Sequence, residues 1–368
     1  MKLKVNRKIF ADTLQLALPF AVRKTPIAIL KYGKATVKGQ RIKIEANDGE
    51  GGIIRYLDLL ENDEDGSFLF NVADMAKLIG KLKDEAITIT VEDETISVKH
   101  AKGNASLSGP SEDIYPSLIL PDTDKTEIEV PAATLNEYVS VGMKFVATEP
   151  LRPMLTGVYI YAKEGKFGFC ATDTHCLVHD ECDIPNNEAN THFLAMPNVY
   201  GAITAGSHES DLVKITITGK HVQYRFGNLI VQSTQAKGNY PDFHRVIPKD
   251  SRINCLVDKD ELLDSLVRIA LFCNSTRCAK MDFTMLDMTV SADNLEDAKK
   301  SIETVAHKEC NGELTIGVNT DMLIQLIKAC PEDNIRFEMS ESSRPIVIKQ
   351  DGKTNMTLLV MPMQLMDD

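Results

Sequence analysis

No run of apolar residues in this sequence is long enough to span a bilayer, which excludes a helical membrane protein. The first residues, Met1-Lys2-Leu3-Lys4-Val5, lack the apolar stretch of a secretory signal, so the expected compartment is the cytoplasm. No CxxC pair occurs among the eight cysteines, at 170, 176, 182, 255, 273, 278, 310 and 330. In a reducing compartment such thiols are mostly buried and unpaired. The phosphate loop GxxxxGK[ST], the nucleophile elbow GxSxG and the zinc motif HExxH are all missing. An excess of positive charge is missing too. The net charge of −12 speaks against nucleic acid by itself, because phosphate neutralisation needs Lys and Arg. That sum bounds only the whole surface, however, and a basic wall can be hidden within an acidic total.

What the sequence does contain is a repeat. Its 368 residues imply two or three domains. Val5-Asn6-Arg7-Lys8-Ile9-Phe10 is matched by Val130-Pro131-Ala132-Ala133-Thr134-Leu135 and by Val257-Asp258-Lys259-Asp260-Glu261-Leu262. In each, a strand-like Val precedes Asn, Pro or Asp, which favour a helix start. A second module runs Phe68-Leu69-Phe70-Asn71-Val72 into Met75, Leu78 and Ile79. It recurs at Phe193-Leu194-Ala195-Met196-Pro197 and at Leu314-Thr315-Ile316-Gly317-Val318. Val5 to Val130, Phe68 to Phe193 and Tyr115 to Tyr240 are each 125 residues apart; Val130 to Val257 is 127 and Phe193 to Leu314 is 121. Three landmarks holding one offset predict three homologous domains, at 1–122, 123–249 and 250–368. Alternating stretches such as Ile87-Thr88-Ile89-Thr90-Val91 and Val213-Lys214-Ile215-Thr216-Ile217 predict antiparallel hairpins. The class is α+β, with two strand-helix-strand halves per domain and helices covering one face of each sheet.

Four motifs then carry a resemblance. They are Leu155-Thr156-Gly157-Val158, Ala171-Thr172-Asp173-Thr174-His175-Cys176-Leu177, Tyr240-Pro241-Asp242-Phe243-His244-Arg245-Val246-Ile247-Pro248 and Val360-Met361-Pro362-Met363-Gln364-Leu365. In this order and beside a three-fold repeat, they make the chain similar, over essentially its whole length, to the beta sliding clamp family of bacterial DNA polymerase III. The resemblance implies three tandem domains of the DNA-clamp fold, with helices lining a hole and antiparallel sheets outside. It also implies a non-catalytic, cytoplasmic processivity factor without metal or cofactor. Two departures stand out. The family usually reads Asp-Gly-His-Arg-Leu where this chain has Asp173-Thr174-His175-Cys176-Leu177, and Arg where it has Gln364. Each removes a cation near the family's peptide pocket.

By the same resemblance, a pocket for short clamp-binding peptides is formed by Leu155, Thr172, His175, Leu177, Pro241, Arg245, Val246, Met322, Pro345, Leu359 and Met361. Arg23, Lys24, Lys77, Lys81, Lys144, Arg152, Arg268, Arg277 and Lys328 face DNA, with Lys77, Lys81, Lys144, Arg268 and Lys328 on predicted helices. Leu107, Leu271 and Phe272 sit at the dimer contact. Twelve helices ~10 Å wide give an inner circumference of ~120 Å and a diameter of ~38 Å, whereas six give ~19 Å, barely the width of the duplex. The closed ring is therefore expected to be a head-to-tail dimer. Its implied partners are double-stranded DNA without sequence specificity, an ATP-driven clamp loader, the DNA polymerase III alpha subunit, and other polymerases or repair proteins.

Other readings of the same residues are weaker. His175, Cys176, His179 and Cys182 suggest zinc, but on a strand the two His share one face and the two Cys the other, which prevents tetrahedral convergence. The acidic run Glu61-Asn62-Asp63-Glu64-Asp65 reads as a solvated loop. An enzyme of three fused repeats would need convergent acid, base or nucleophile residues at unrepeated positions, and the sequence offers none.

Overall fold

The computed structural model describes residues 1–21, 27–83, 85–110, 115–116, 118, 125–149, 151–184, 189–294, 297–350 and 355–365. Six α-helices occur among them: α1 Arg7–Ala17, α2 Val72–Lys81, α3 Ala132–Gly142, α4 Pro197–Ser207, α5 Lys259–Ile269 and α6 Thr320–Ala329. Each follows a strand at once or after one residue. Two of the expected helix starts, Asn6 and Asp258, are real caps, and Asn71 and Asn319 cap their helices as well. Asn6, Asn71 and Asn319 each accept an N–H from three residues on, at 3.1 Å, and Asp258 accepts from both Asp260 and Glu261. Pro197 opens α4 at the first turn, where its missing N–H costs nothing. None of these helices is long and apolar enough to cross a membrane.

The chain divides into two compact units, Met1–Glu137 with Ala195–Ala236, and Tyr138–Leu194 with Lys237–Asp368. In the first, Glu61–Asn62, Lys2–Asn6, Ala86–Glu92, Thr95–His100 and Gly103–Ser108 form a five-stranded sheet in that order. An eight-stranded sheet runs Thr126–Pro131, Leu212–Ile217, His221–Phe226, Leu229–Thr234, Gly52–Asp58, Arg41–Asn47, Tyr32–Lys38 and Gly66–Asn71. Helices α1 and α2 pack together, burying Phe10, Leu14, Met75 and Ile79. In the second unit a nine-stranded sheet runs Thr191–Ala195, Val158–Lys163, Lys166–Thr172, Cys176–Asp183, Thr357–Val360, Ile346–Gln350, Asn334–Met339, Ile253–Asp258 and His307–Cys310. A four-stranded sheet runs Lys299–Val305, Met288–Asn294, Cys278–Phe283 and Leu314–Asn319. There α5 and α6 pack together over Leu262, Leu266, Leu323 and Ile327.

The two units cut across the three repeats for a definite reason. In the first unit, Leu229–Thr234 from the middle third pairs with Gly52–Asp58 from the first, with Leu229 opposite Arg55. In the second unit, Thr357–Val360 from the last third pairs with Cys176–Asp183 from the middle, with Leu359 opposite Leu177. Each junction joins the last strand of one repeat to the third hairpin strand of the repeat before it. The middle third therefore gives strands to both units. By the same rule two strands are left over, Gly103–Ser108 and Lys299–Val305, and both lie at open sheet edges among the described residues.

Candidate functional site

The second of these junctions builds a cavity. Strand pairing sets Cys176 opposite Val360 and Leu177 opposite Leu359, and the N–H of Met361 donates to the His175 carbonyl at 2.8 Å. Backbone hydrogen bonds thus bring together residues more than 180 positions apart. The opposite wall comes from two short 3₁₀ turns, Pro153–Leu155 and Phe243–Arg245. Between them lies a cavity of ≈ 500 Å³ lined by Arg152, Met154, Leu155, Thr172, Thr174, His175, Cys176, Leu177, Asn239, Pro241, Phe243, Val246, Leu359 and Met361. That volume suits a few side chains of a peptide, and the lining is mostly apolar with polar groups few and scattered.

An aromatic cluster backs the cavity. Phe243, Leu177 and Leu359 belong to one buried cluster with Cys170 and Val347. Tyr159 stacks on Tyr240 with centroids 4.5 Å apart, and the Tyr240 hydroxyl donates to the Cys170 carbonyl at 3.3 Å. Deeper, Tyr161 donates to Glu181 Oε2 at 2.7 Å and lies 3.0 Å from His179 Nε2. With its own proton committed to the carboxylate, the Tyr161 oxygen accepts from His179, so the imidazole carries its proton on Nε2. Burial lowers the His179 pKa to about 4, against the opposing pull of the nearby Glu181 charge, so this ring is a neutral strut at physiological pH.

The rim shows the first of these departures at work, at Cys176 and Thr174. Cys176 replaces the family's usual Arg, and burial holds its thiol up at about 12, so it adds a small neutral group to the wall. Thr174 stands where the family usually has Gly, and its φ is +83°. A β-branched residue is strained in that region. The turn is held nonetheless: Thr174 N–H donates to Thr172 Oγ1 (3.1 Å), and Asp173 Oδ1 accepts from the N–H groups of His175 (2.8 Å) and Cys176 (2.7 Å). Thr174→Gly should therefore stabilise the fold by about 1 kcal/mol, relief of strain exceeding the added chain entropy. Denaturant unfolding checks this; a destabilisation of similar size would mean that the turn is unstrained.

Eight of the eleven expected pocket residues line the cavity: Leu155, Thr172, His175, Leu177, Pro241, Val246, Leu359 and Met361. Three do not. Arg245 turns to Asp242 (2.9 Å) with 85% of its side chain exposed. Met322 is in the first turn of α6 and Pro345 just before Ile346–Gln350; both are half-buried and outside the lining. Arg152, expected to face DNA, lines the cavity instead. Sequence reasoning also missed Met154, Thr174, Cys176, Asn239 and Phe243, although all five lie within or directly beside the four quoted motifs. Gln364 is exposed and outside the lining.

The remaining expected cations fall into groups. Lys77 and Lys81 on α2 and Lys328 on α6 are exposed and form no ion pair among the described residues. Lys144 is exposed but lies beyond the end of α3, not on a helix, because that helix stops at Gly142. Arg268, on α5, is engaged by Glu303 (Nη2–Oε2 2.6 Å), and Arg277 by Asp321 (2.7 Å) and the Ala270 carbonyl. These two charges are largely neutralised in the free chain. Arg23 and Lys24 lie outside the described residues. Of the expected contact residues, Leu271 is 74% exposed, while Phe272 and Leu107 are half-buried.

Family models for the N-terminal, central and C-terminal domains of the DNA polymerase III beta subunit match residues 1–119, 125–242 and 244–364. The chain belongs to the DNA polymerase III beta subunit family. Among curated relatives it is 22% identical to the beta sliding clamp of Bacillus subtilis, over 99% of this chain and all of that one. It is 24% identical to the Synechocystis beta sliding clamp over 79% of this chain and 80% of that one. Among solved structures it superposes on the Pseudomonas aeruginosa sliding clamp bound to griselimycin with a TM-score of 0.93 at 20% identity. The Thermotoga maritima beta subunit gives 0.91 at 20% identity; both comparisons cover 99% of this chain and all of the other. The chain is thus three clamp domains in tandem and a non-catalytic processivity clamp of DNA replication.

Proposed function

We propose that two copies of this chain close head to tail into a ring around duplex DNA, and that the cavity beside Leu177 and Met361 docks short peptides of polymerases and other replication or repair proteins. The observation that carries the ring is the pair of left-over strands. Two of the three junctions that the repeat allows are made within the chain, and the third requires Gly103–Ser108 of one copy and Lys299–Val305 of another. An open strand edge is a ready template for such pairing. Leu271 and Ile302, 74% and 65% exposed, supply apolar surface near it. The domains of this reading are 1–122, 123–249 and 250–368, and the compartment is the cytoplasm.

Inside such a ring the exposed lysines Lys77, Lys81, Lys144 and Lys328 make weak, sequence-blind phosphate contacts. Arg268 and Arg277 contribute only by exchanging a carboxylate for a phosphate. The net charge of −12 then serves the outer surface. Opening a closed ring needs an external ATP-driven loader. The cavity accepts aliphatic or aromatic anchors, which carry most of the energy of peptide docking.

The deciding experiment is topological. The chain loaded on nicked circular DNA, with a clamp loader and ATP, is expected to survive a high-salt wash and to be released when the circle is cut. Equal salt sensitivity on circular and linear DNA would mean that binding is electrostatic only.

A further inference from the structure

Three donor side chains outside the cavity come together at the outer edge of the nine-stranded sheet. Cys255, His307 and Cys310 place one ligand atom each within 4.8 Å of one another. Strand pairing explains two of them, since Cys255 lies directly opposite Cys310. His307 needs a further device. On a regular strand, residues 307 and 310 would point to opposite faces. The register, however, runs Cys255↔Cys310, Leu256↔Glu309 and then Val257↔His307, so Lys308 is an extra, unpaired residue. This bulge returns His307 to the face of Cys310.

We propose that Cys255, His307 and Cys310 bind a thiophilic divalent cation of the zinc class. Two thiolates and one imidazole match that ion's preferences, and three protein ligands leave a fourth position for water at a half-exposed edge. Binding replaces two S–H protons by the metal and releases them. The second contact of the imidazole fits as well. His307 Nε2 lies 3.1 Å from the Thr284 carbonyl, which only accepts, so Nε2 carries the proton and Nδ1 keeps the lone pair. A cross-strand disulfide between Cys255 and Cys310 would explain the two sulfurs but neither the histidine nor the bulge. The spacing, with 51 residues between the first and second donors and two between the second and third, matches no zinc motif, which is why the site is invisible in the sequence.

The test uses the full chain, reduced with a phosphine and dialysed against zinc or cobalt ions alone. One zinc per chain is expected to persist through gel filtration, and cobalt to give thiolate-to-metal charge-transfer absorption. Zinc at ~100-fold over its Kd should raise Tm by on the order of 5 °C, reversibly with chelator. His307→Ala and Cys310→Ser, at the half-exposed edge, should each weaken binding at least ~10-fold. Cys255→Ser should do the same where it folds, and Cys182→Ser should leave binding unchanged. Metal binding that survives His307→Ala and Cys310→Ser overturns the proposal. So does a reduced chain that takes up no metal, whether or not air oxidation links Cys255 to Cys310.

Discussion

Met361→Ala should lose peptide about five- to thirty-fold, 1–2 kcal/mol, while the protein melts close to wild type. The two halves of that expectation come from one fact: Met361 is 37% exposed while lining the cavity, so much of its surface faces the space a peptide would fill. Removing it takes away contact with the peptide and little contact with the fold. Leu177→Ala should behave differently. Leu177 is only 3% exposed and belongs to the buried cluster of Cys170, Phe243, Val347 and Leu359. Truncation there costs about 2–4 kcal/mol of stability as well as peptide affinity, because a cavity opens behind the wall. The measurement is anisotropy of a labelled clamp-binding peptide, with melting curves alongside. If Met361→Ala binds like wild type, the cavity is not the docking site. Restoring the family's cation by Cys176→Arg would place a charge in a position now 3% exposed, so the guanidinium must reach out along the rim or the wall must open.

Much of the architecture was legible because the repeat is written in local chemistry. Asn6 and Asp258 announce helix starts through their side chains; the cap at Asn71 is a finding of the structure. Alternating strands such as Ala86–Glu92 were equally plain. The junctions were not legible. Which strand meets Cys176–Asp183 depends on hydrogen bonding to Thr357–Val360, and nothing in either segment specifies the other. The apolar core of the cavity was therefore reached through resemblance, and the resemblance faltered where this chain departs from it, at Thr174 and Cys176. Ion pairs are hidden for a similar reason. Arg268 looks free in the sequence, yet Glu303, 35 residues on, takes it by Nε and Nη2. The bulge at Lys308 is likewise a property of the pairing and of no single strand.

The largest effect is expected at the ring contact. Leu271→Asp combined with Ile302→Asp should convert a particle of twice 40.8 kDa into one of 40.8 kDa in light scattering at micromolar concentration. Both side chains are mostly exposed in the single chain, 74% and 65%, so the folded monomer should tolerate a carboxylate at either place. In a paired sheet edge the same carboxylate is desolvated without a partner, at a cost of about 2–4 kcal/mol each. A head-to-tail dimer contains two copies of the contact, so every substitution counts twice. Two substitutions of ~2 kcal/mol each, doubled, shift the dimer equilibrium by ~8 kcal/mol, on the order of a million-fold in Kd. Peptide affinity should not change, since the cavity is built from strand pairing elsewhere in the chain. Retention on circular DNA should vanish with the dimer, because a chain whose left-over strands Gly103–Ser108 and Lys299–Val305 stay unpaired closes no ring. A double variant that stays at twice the monomer mass would show that these edges do not meet, whatever the cavity binds.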